Sequence, residues 1–210
     1  MQIKTKWILG VFMMVFLFLV LFWRWLHSPL PQYVGEKKLP PLQKKVDVYT
    51  DKFGVPHVFA ENEKDLFFSA GYIAARERLF QLSMVALAVK GELASVLGDS
   101  YLKTDIYLRT WRIRKVAVEL VRKMKPENKE IFESFCAGIN YWIKESKKDL
   151  PLEFKILGME PSLWDPVIVA GYTRMMAHEM SGSWKPEIVF GAVLEYFGEE
   201  KLSELIPNSE

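Results

Sequence analysis

The chain has 210 residues, half of them hydrophobic and 14% aromatic, with a net charge of +2 and a pI near 8.5. This composition supports one domain with a sizeable core plus an appendage, and the scattered lysines and arginines form no basic element suited to nucleic acid. The single cysteine, Cys136, excludes an intrachain disulfide.

Lys4 and Lys6 make residues 1–6 a basic flank, followed by seventeen uninterrupted apolar or glycine residues from Trp7 to Trp23 and then Arg24, Trp25 and Leu26. Residues 7–26 are expected to form a membrane-targeting segment with its lysines on the cytoplasmic side and aromatic residues at both ends. The apolar run exceeds the roughly 7–15 residues of a signal-peptide core, and His27-Ser28-Pro29-Leu30 offers no small-residue cleavage site. An uncleaved anchor is therefore favoured over a cleaved signal, and either reading puts the remainder outside the cytoplasm. Residues 27–45, with Pro29, Pro31, Pro40 and Pro41, read as an extended, semi-rigid linker ahead of one domain over 46–210.

That domain opens with a hairpin. Val46, Val48 and Thr50 alternate on one side, Asp51-Lys52-Phe53-Gly54 supplies turn residues, and Val55 to Phe59 is a second β-rich run. Pro56 cannot donate to a ladder, so the second run belongs at an edge or beside a bulge. Asn62 is a good N-cap, with Glu63 and Asp65 where a helix N-terminus favours negative charge. From Leu66 to Val89 the only charged residues are Arg76, Glu77 and Arg78. Apolar residues on every face predict a buried core helix, and three central charges argue against a membrane span. A buried triplet has to find partners, so a structural ion-pair network is expected there.

Gly91 breaks this helix, and Glu92 to Leu97 reads as a short helix stopped by Gly98. Over Lys103 to Arg114, the i,i+4 spacing of Asp105 and Arg109 predicts a surface ion pair. Pro126 divides Val116 to Lys147 into two amphipathic helices. The second turns Ile131, Phe135, Ile139, Tyr141 and Trp142 to the core, buries Cys136, and leaves Lys144, Glu145, Lys147 and Lys148 in water. Pro151 to Pro166 reads as loop with Trp164 as its anchor. A mostly apolar helix follows over Val167 to Met180, then a last one over Glu187 to Phe197, stopped by Gly198 and trailed by a tail over 199–210. The fold class is α+β, mainly helical, with one hairpin.

The sequence holds no Gly-x-Gly-x-x-Gly, P-loop, CxxC or His-Glu-x-x-His motif. Of its three histidines, His57 reads as a hydrogen-bonded structural imidazole and His27 as interfacial. His178 sits among Met175, Met176 and Met180, methionines that read either as core filling or as a soft wall for an apolar ligand. Glu187 reads as an acid favoured at a helix start.

A set of short runs resembles the start of the α-chain of penicillin acylases, N-terminal-nucleophile hydrolases. They are Asp51-x-x-Gly54-Val55-Pro56-His57, Asp65-Leu66, Gly71-Tyr72-x-x-Ala75-Arg76-x-Arg78-Leu79-Phe80-Gln81, Gly91-Glu92-Leu93-Ala94-x-x-Leu97-Gly98, Asp105 with Arg109, and Gly158-Met159-Glu160-Pro161-x-x-Trp164-x-Pro166. The resemblance implies a four-layer αββα fold whose sheets come mostly from a β-chain absent here. It implies an amidase, made as a zymogen, that hydrolyses a linear amide between an acyl side chain and an amine such as a β-lactam nucleus. The nucleophile would be the N-terminal Ser of that β-chain, so no catalytic residue is expected in this chain, and no organic cofactor. By position, Met176 and Met180 would be substrate-binding residues in the acyl pocket, where the family commonly has an aromatic at the latter. Glu187 would be this chain's metal ligand to a calcium ion shared between chains, giving at most two of about six to eight oxygens. An acyl-homoserine-lactone acylase of the same superfamily is the close rival. A non-enzymatic, membrane-anchored fragment or binding module is the rival of a different class.

Overall fold

The computed structural model describes residues 2–27, 30, 33–182 and 184–205, with side chains in those ranges except at 2–6, 8–12, 26, 27 and 185. Helix α1, Gln2–His27, comes first, and its side chains from Met13 to Trp25 are exposed. Among the described residues no helix is long and apolar enough to cross a membrane. The anchor expected over 7–26 is therefore helical but unsupported as a span. Residues 8–12 and 26 of that segment lie outside the described side chains.

The hairpin forms as the alternation predicts. Strands β1, Asp47–Thr50, and β2, Pro56–Phe59, pair antiparallel with Asp47 opposite Phe59 and Thr50 opposite Pro56. Pro56 opens its strand in a two-stranded sheet, where the missing donor does no harm. Asp51 Oδ1 accepts from the backbone N–H of Phe53 and of Val55, both at 2.9 Å, and fixes the turn. His57 Nε2 lies 3.4 Å from Asp51 Oδ2, in keeping with a structural imidazole.

Helix α2, Glu63–Lys90, starts at the expected cap: Asn62 Oδ1 accepts from Asp65 N at 2.8 Å and Asn62 Nδ2 donates to Asp65 Oδ2 at 2.7 Å. Asp65 is only 2% exposed, and its carboxylate also accepts from the backbone of Gln43 and of Lys44. Burial alone would raise its pKa. The hydrogen bonds from Gln43, Asn62 and Lys44 outweigh that and hold it below the usual carboxylate range.

The charged triplet on α2 corrects the sequence reading. At Arg78 the backbone leaves helical geometry (φ −139°, ψ 31°), with no proline or glycine behind the bend. The bend sets Glu77 and Arg78 in solvent. Arg76 pairs with its neighbour Glu77 at 2.8 Å and lies over the Tyr33 ring, so no buried network is needed to offset desolvation.

Gly91 caps α2 in the left-handed conformation at φ 68°. Next come α3, Ala94–Leu97, a 3₁₀ turn over Asp99–Tyr101, α4, Leu102–Thr110, and α5, Ile113–Lys123. Asp105 and Arg109 do not make the expected surface pair. Asp105 is buried and accepts from the N–H groups of Leu93 and Ala94, both at 2.8 Å, while Arg109 Nε donates to the Gly91 carbonyl. These two side chains tie α4 to the turn after α2. Sequence spacing sees only the i,i+4 neighbour and not this longer-range partner.

Helix α6, Pro126–Glu145, starts on its proline as expected and packs along α2. The two backbones approach so closely that a Cβ on Gly71 would overlap the Phe135 carbonyl, and one on Gly138 would overlap the Phe68 carbonyl. Cys136 is buried in this seam beside Ala75, Leu79 and Ile139, and burial pushes its thiol up to about 12. A 3₁₀ turn over Ser146–Lys148 precedes α7, Leu152–Leu157, a short helix inside the stretch expected to be loop; Phe154 folds from it into the core. Asn140 makes a reciprocal pair with the Trp164 backbone at 2.8 and 2.9 Å and pins that indole in the core, as expected. Helix α8, Pro166–Met180, and helix α9, Trp184–Leu205, complete the described chain. At Gly198 (φ 79°, ψ 175°) the backbone leaves helical geometry, as the expected stop requires; a further helical stretch then covers 199–205 of the expected tail, and 206–210 lie outside the described residues.

The linker is no free spacer. Besides the Asp65 bonds, Tyr33 Oη donates to Glu77 at 3.0 Å and Lys37 Nζ pairs with Glu145 at 2.7 Å, all reaching back to α2 and α6. Residues 28, 29, 31 and 32 lie outside the described set.

Candidate functional site at the end of α8

Asp165 caps α8, accepting from Ile168 N at 2.9 Å, and Pro166 occupies the first turn. The early turns are buried: Ile168 and Ala170 enter the core, and Gly171 lies against Val89 of α2. The last turn leaves the core. Met175 packs onto the cluster of Leu87, Ala88 and Leu93, which fits the core-filling reading. Met176 and Met180 do not fill the core: they are 44% and 84% exposed. His178 Nε2 makes a 2.7 Å hydrogen bond with Tyr107 Oη of α4 and packs at a tilt of 44° against Trp111, ring centroids 4.2 Å apart.

Helix α9 continues this exposed apolar region with Ile188, Val189, Leu194, Tyr196 and Phe197. Glu187 stands exposed in its first turn. Among the described residues no group of three His, Cys, Asp or Glu is placed to hold a metal ion; the resemblance asks of this chain only Glu187, as one carboxylate of a site shared with another chain. Sequence reading found the methionines but passed over Tyr107 and Trp111. Their i,i+4 spacing is the signal the sequence offers.

A concavity of about 1080 Å³ lies under the linker against α2 and α6. The linker's own Lys37 reaches into it, with its ammonium 5.8 Å from the Tyr72 ring and 5.9 Å from the Trp142 ring. Tyr72 Oη donates to Glu145 at 2.9 Å. Burial works against the Lys37 ammonium, but contacts with Glu145 and Tyr72 outweigh it and raise its pKa. This arrangement holds the linker down.

A profile described as penicillin amidase matches residues 45–210. The penicillin acylase 2 proenzyme of Pseudomonas sp. (strain SE83) is 30% identical over 159 residues, covering 76% of this chain and 20% of that protein. Penicillin G acylase of Escherichia coli is 30% identical over 144 residues, 66% of this chain and 17% of that protein. The acyl-homoserine lactone acylase QuiP of Pseudomonas fluorescens (strain Pf0-1) is 28% identical over 183 residues, 87% of this chain and 22% of that protein. This chain thus spans about a fifth of the length of the curated relatives it matches. Among solved structures, a thermostable penicillin G acylase from Alcaligenes faecalis matches with a TM-score of 0.61 and 25% identity, covering 79% of this chain and 93% of that one.

Proposed function

The chain belongs to the penicillin amidase family, and from that premise we propose that it is the α-chain portion of an acylase-type amidase. The family match over 45–210 carries this reading. Two further observations support a two-chain enzyme. The curated relative is a proenzyme of which this chain spans 20%, whereas 93% of the matched solved chain is covered. The end of α8 and the length of α9 also present apolar side chains to solvent, as a surface covered by a partner chain does.

In the proposed reaction the N-terminal Ser of a β-chain attacks the carbonyl of a linear amide. Its own α-amino group takes the hydroxyl proton and then delivers it to the departing amine; water afterwards releases the acid and restores the Ser. Donors aimed at the developing oxyanion, and most of the double sheet, come from that β-chain. Met176 and Met180 give the acyl side chain a flexible, polarisable wall. No step runs through calcium. The likeness to QuiP over 87% of this chain supports a second reading, in which the substrate is an acyl-homoserine lactone. Lys4 and Lys6 ahead of the apolar run support an extracytoplasmic position for the body.

The test is to express the reading frame through and beyond Glu210, sequence the N-terminus of any second chain, and assay N-acyl p-nitroanilides. A second chain beginning with Ser and release of p-nitroaniline are expected, both lost when that Ser becomes Ala. An unprocessed product that cleaves none of the amides overturns the proposal.

A further inference from the structure

The last turn of α8 sends its side chains in three directions. Met175 goes inward to Leu87 and Leu93, His178 goes to Tyr107 of α4 and to Trp111 at its C-terminal cap, and Met176 with Met180 goes to solvent. At about 100° of rotation per residue, His178 lies about 200° round the helix from Met176, while Met176 and Met180, four apart, share a face. The side opposite the exposed methionines is therefore clamped to a second helix.

A clamp has a physical purpose at this place. The final carbonyls of a helix lack intrahelical partners and the end frays unless something holds it. Ser181 supplies part of the hold, its Oγ donating to the Ala177 carbonyl at 2.6 Å. Met176 and Met180 are unbranched and exposed, so packing does not fix their rotamers. Where they sit is decided by the backbone that carries them. That backbone is held sideways by the 2.7 Å Tyr107–His178 bond and by the tilted ring contact with Trp111, with Tyr107 and Trp111 themselves in edge contact, centroids 6.1 Å apart.

We propose that Tyr107 and His178 are positioning residues for the acyl-facing end of α8, setting which acyl groups the Met176–Met180 face accepts. This rests on the amidase reading above. Neither residue touches the substrate. They act through the helix end, so the consequence is in acyl discrimination and not in the bond-breaking step.

The experiment compares wild type, Tyr107→Phe, His178→Ala and His178→Gln in the assembled enzyme on phenylacetyl, hexanoyl and decanoyl p-nitroanilides. Phenylalanine keeps the ring contact with Trp111, so Tyr107→Phe leaves packing intact. Tyr107→Phe and His178→Ala are expected to change the ratio of kcat/KM between best and worst acyl groups by about fivefold or more, through KM, with kcat within about twofold. His178→Gln, which can still accept from the phenol, restores the ratio. Amide hydrogen exchange over 174–181 rises in the two disrupting variants and not in His178→Gln. An active enzyme whose acyl ratios are unchanged overturns this role and leaves the amidase reading standing. An enzyme that cleaves none of the amides overturns both.

Discussion

The seam between α2 and α6 and the end of α8 with α9 are built from the same kinds of residue and finished to different degrees. In the seam, apolar side chains disappear and backbones touch: Ala75, Leu79, Cys136 and Ile139 are buried, and two glycines let Phe68 and Phe135 approach the opposite helix. At the end of α8 and along α9, methionine, isoleucine, valine and aromatic side chains stay in solvent. The difference teaches that the chain specifies its own interior around α2 and leaves the end of α8 and α9 as exposed apolar surface. A stability defect belongs to the first region and a recognition defect to the second.

The largest expected effect tests the finished region. Gly138→Ala puts a methyl group into the Phe68 carbonyl, a backbone atom that cannot rotate away, so the whole seam has to open. A loss of about 3 kcal/mol, the upper end for overpacking, is expected in the unfolding free energy from urea titration of the folded chain. A loss under about 0.5 kcal/mol would mean that the helices lie further apart than the structure has them.

Asp65→Ala comes next, at about 2 kcal/mol, because it removes an Asn62 partner and strands the Gln43 and Lys44 N–H groups that tether the linker. Its sign with pH is fixed by the depressed carboxyl pKa. The contribution is complete above the ordinary carboxylate range, where the folded and unfolded groups are both ionised. It fades as the pH falls through the depressed folded value. Denaturation midpoints measured across acid pH should therefore show wild type and Asp65→Ala converging on acidification. A gap that stays constant would remove the carboxylate from the account.

Local grammar was legible throughout the finished region. The hairpin with Pro56 at its edge, the Asn62 cap, the Gly91 break and the Pro126 divide follow from single-residue backbone preferences, and the structure keeps all four. Long-range geometry was not. Nothing near Arg78 announces a bend, so the triplet on α2 was read as buried; nothing near Asp105 announces that its partners are Leu93 and Ala94. The linker prolines speak for extension, yet Tyr33, Lys37 and the Asp65 carboxylate bind the linker to the body. At the candidate site the methionines were legible as a stripe. Their exposure was not, because periodicity ranks faces without saying which one the rest of the fold leaves uncovered.

The smallest expected effect tests the unfinished region. Met176→Ser and Met180→Ser remove apolar side chains that the chain itself covers incompletely, so each should change the unfolding free energy of this chain alone, from urea titration, by less than about 0.5 kcal/mol. If the face receives an acyl group, the same two variants in the assembled enzyme should lose kcat/KM in proportion to the apolar area of the acyl chain. Each methylene no longer buried forfeits about 0.8 kcal/mol. The sharp outcome is the pairing: silent in the stability of this chain, graded in activity with acyl length. A Met180 variant that unfolds the chain would show that the side chain is part of the interior after all. One that alters every amide equally would show that the face covers a partner chain and does not contact the acyl group.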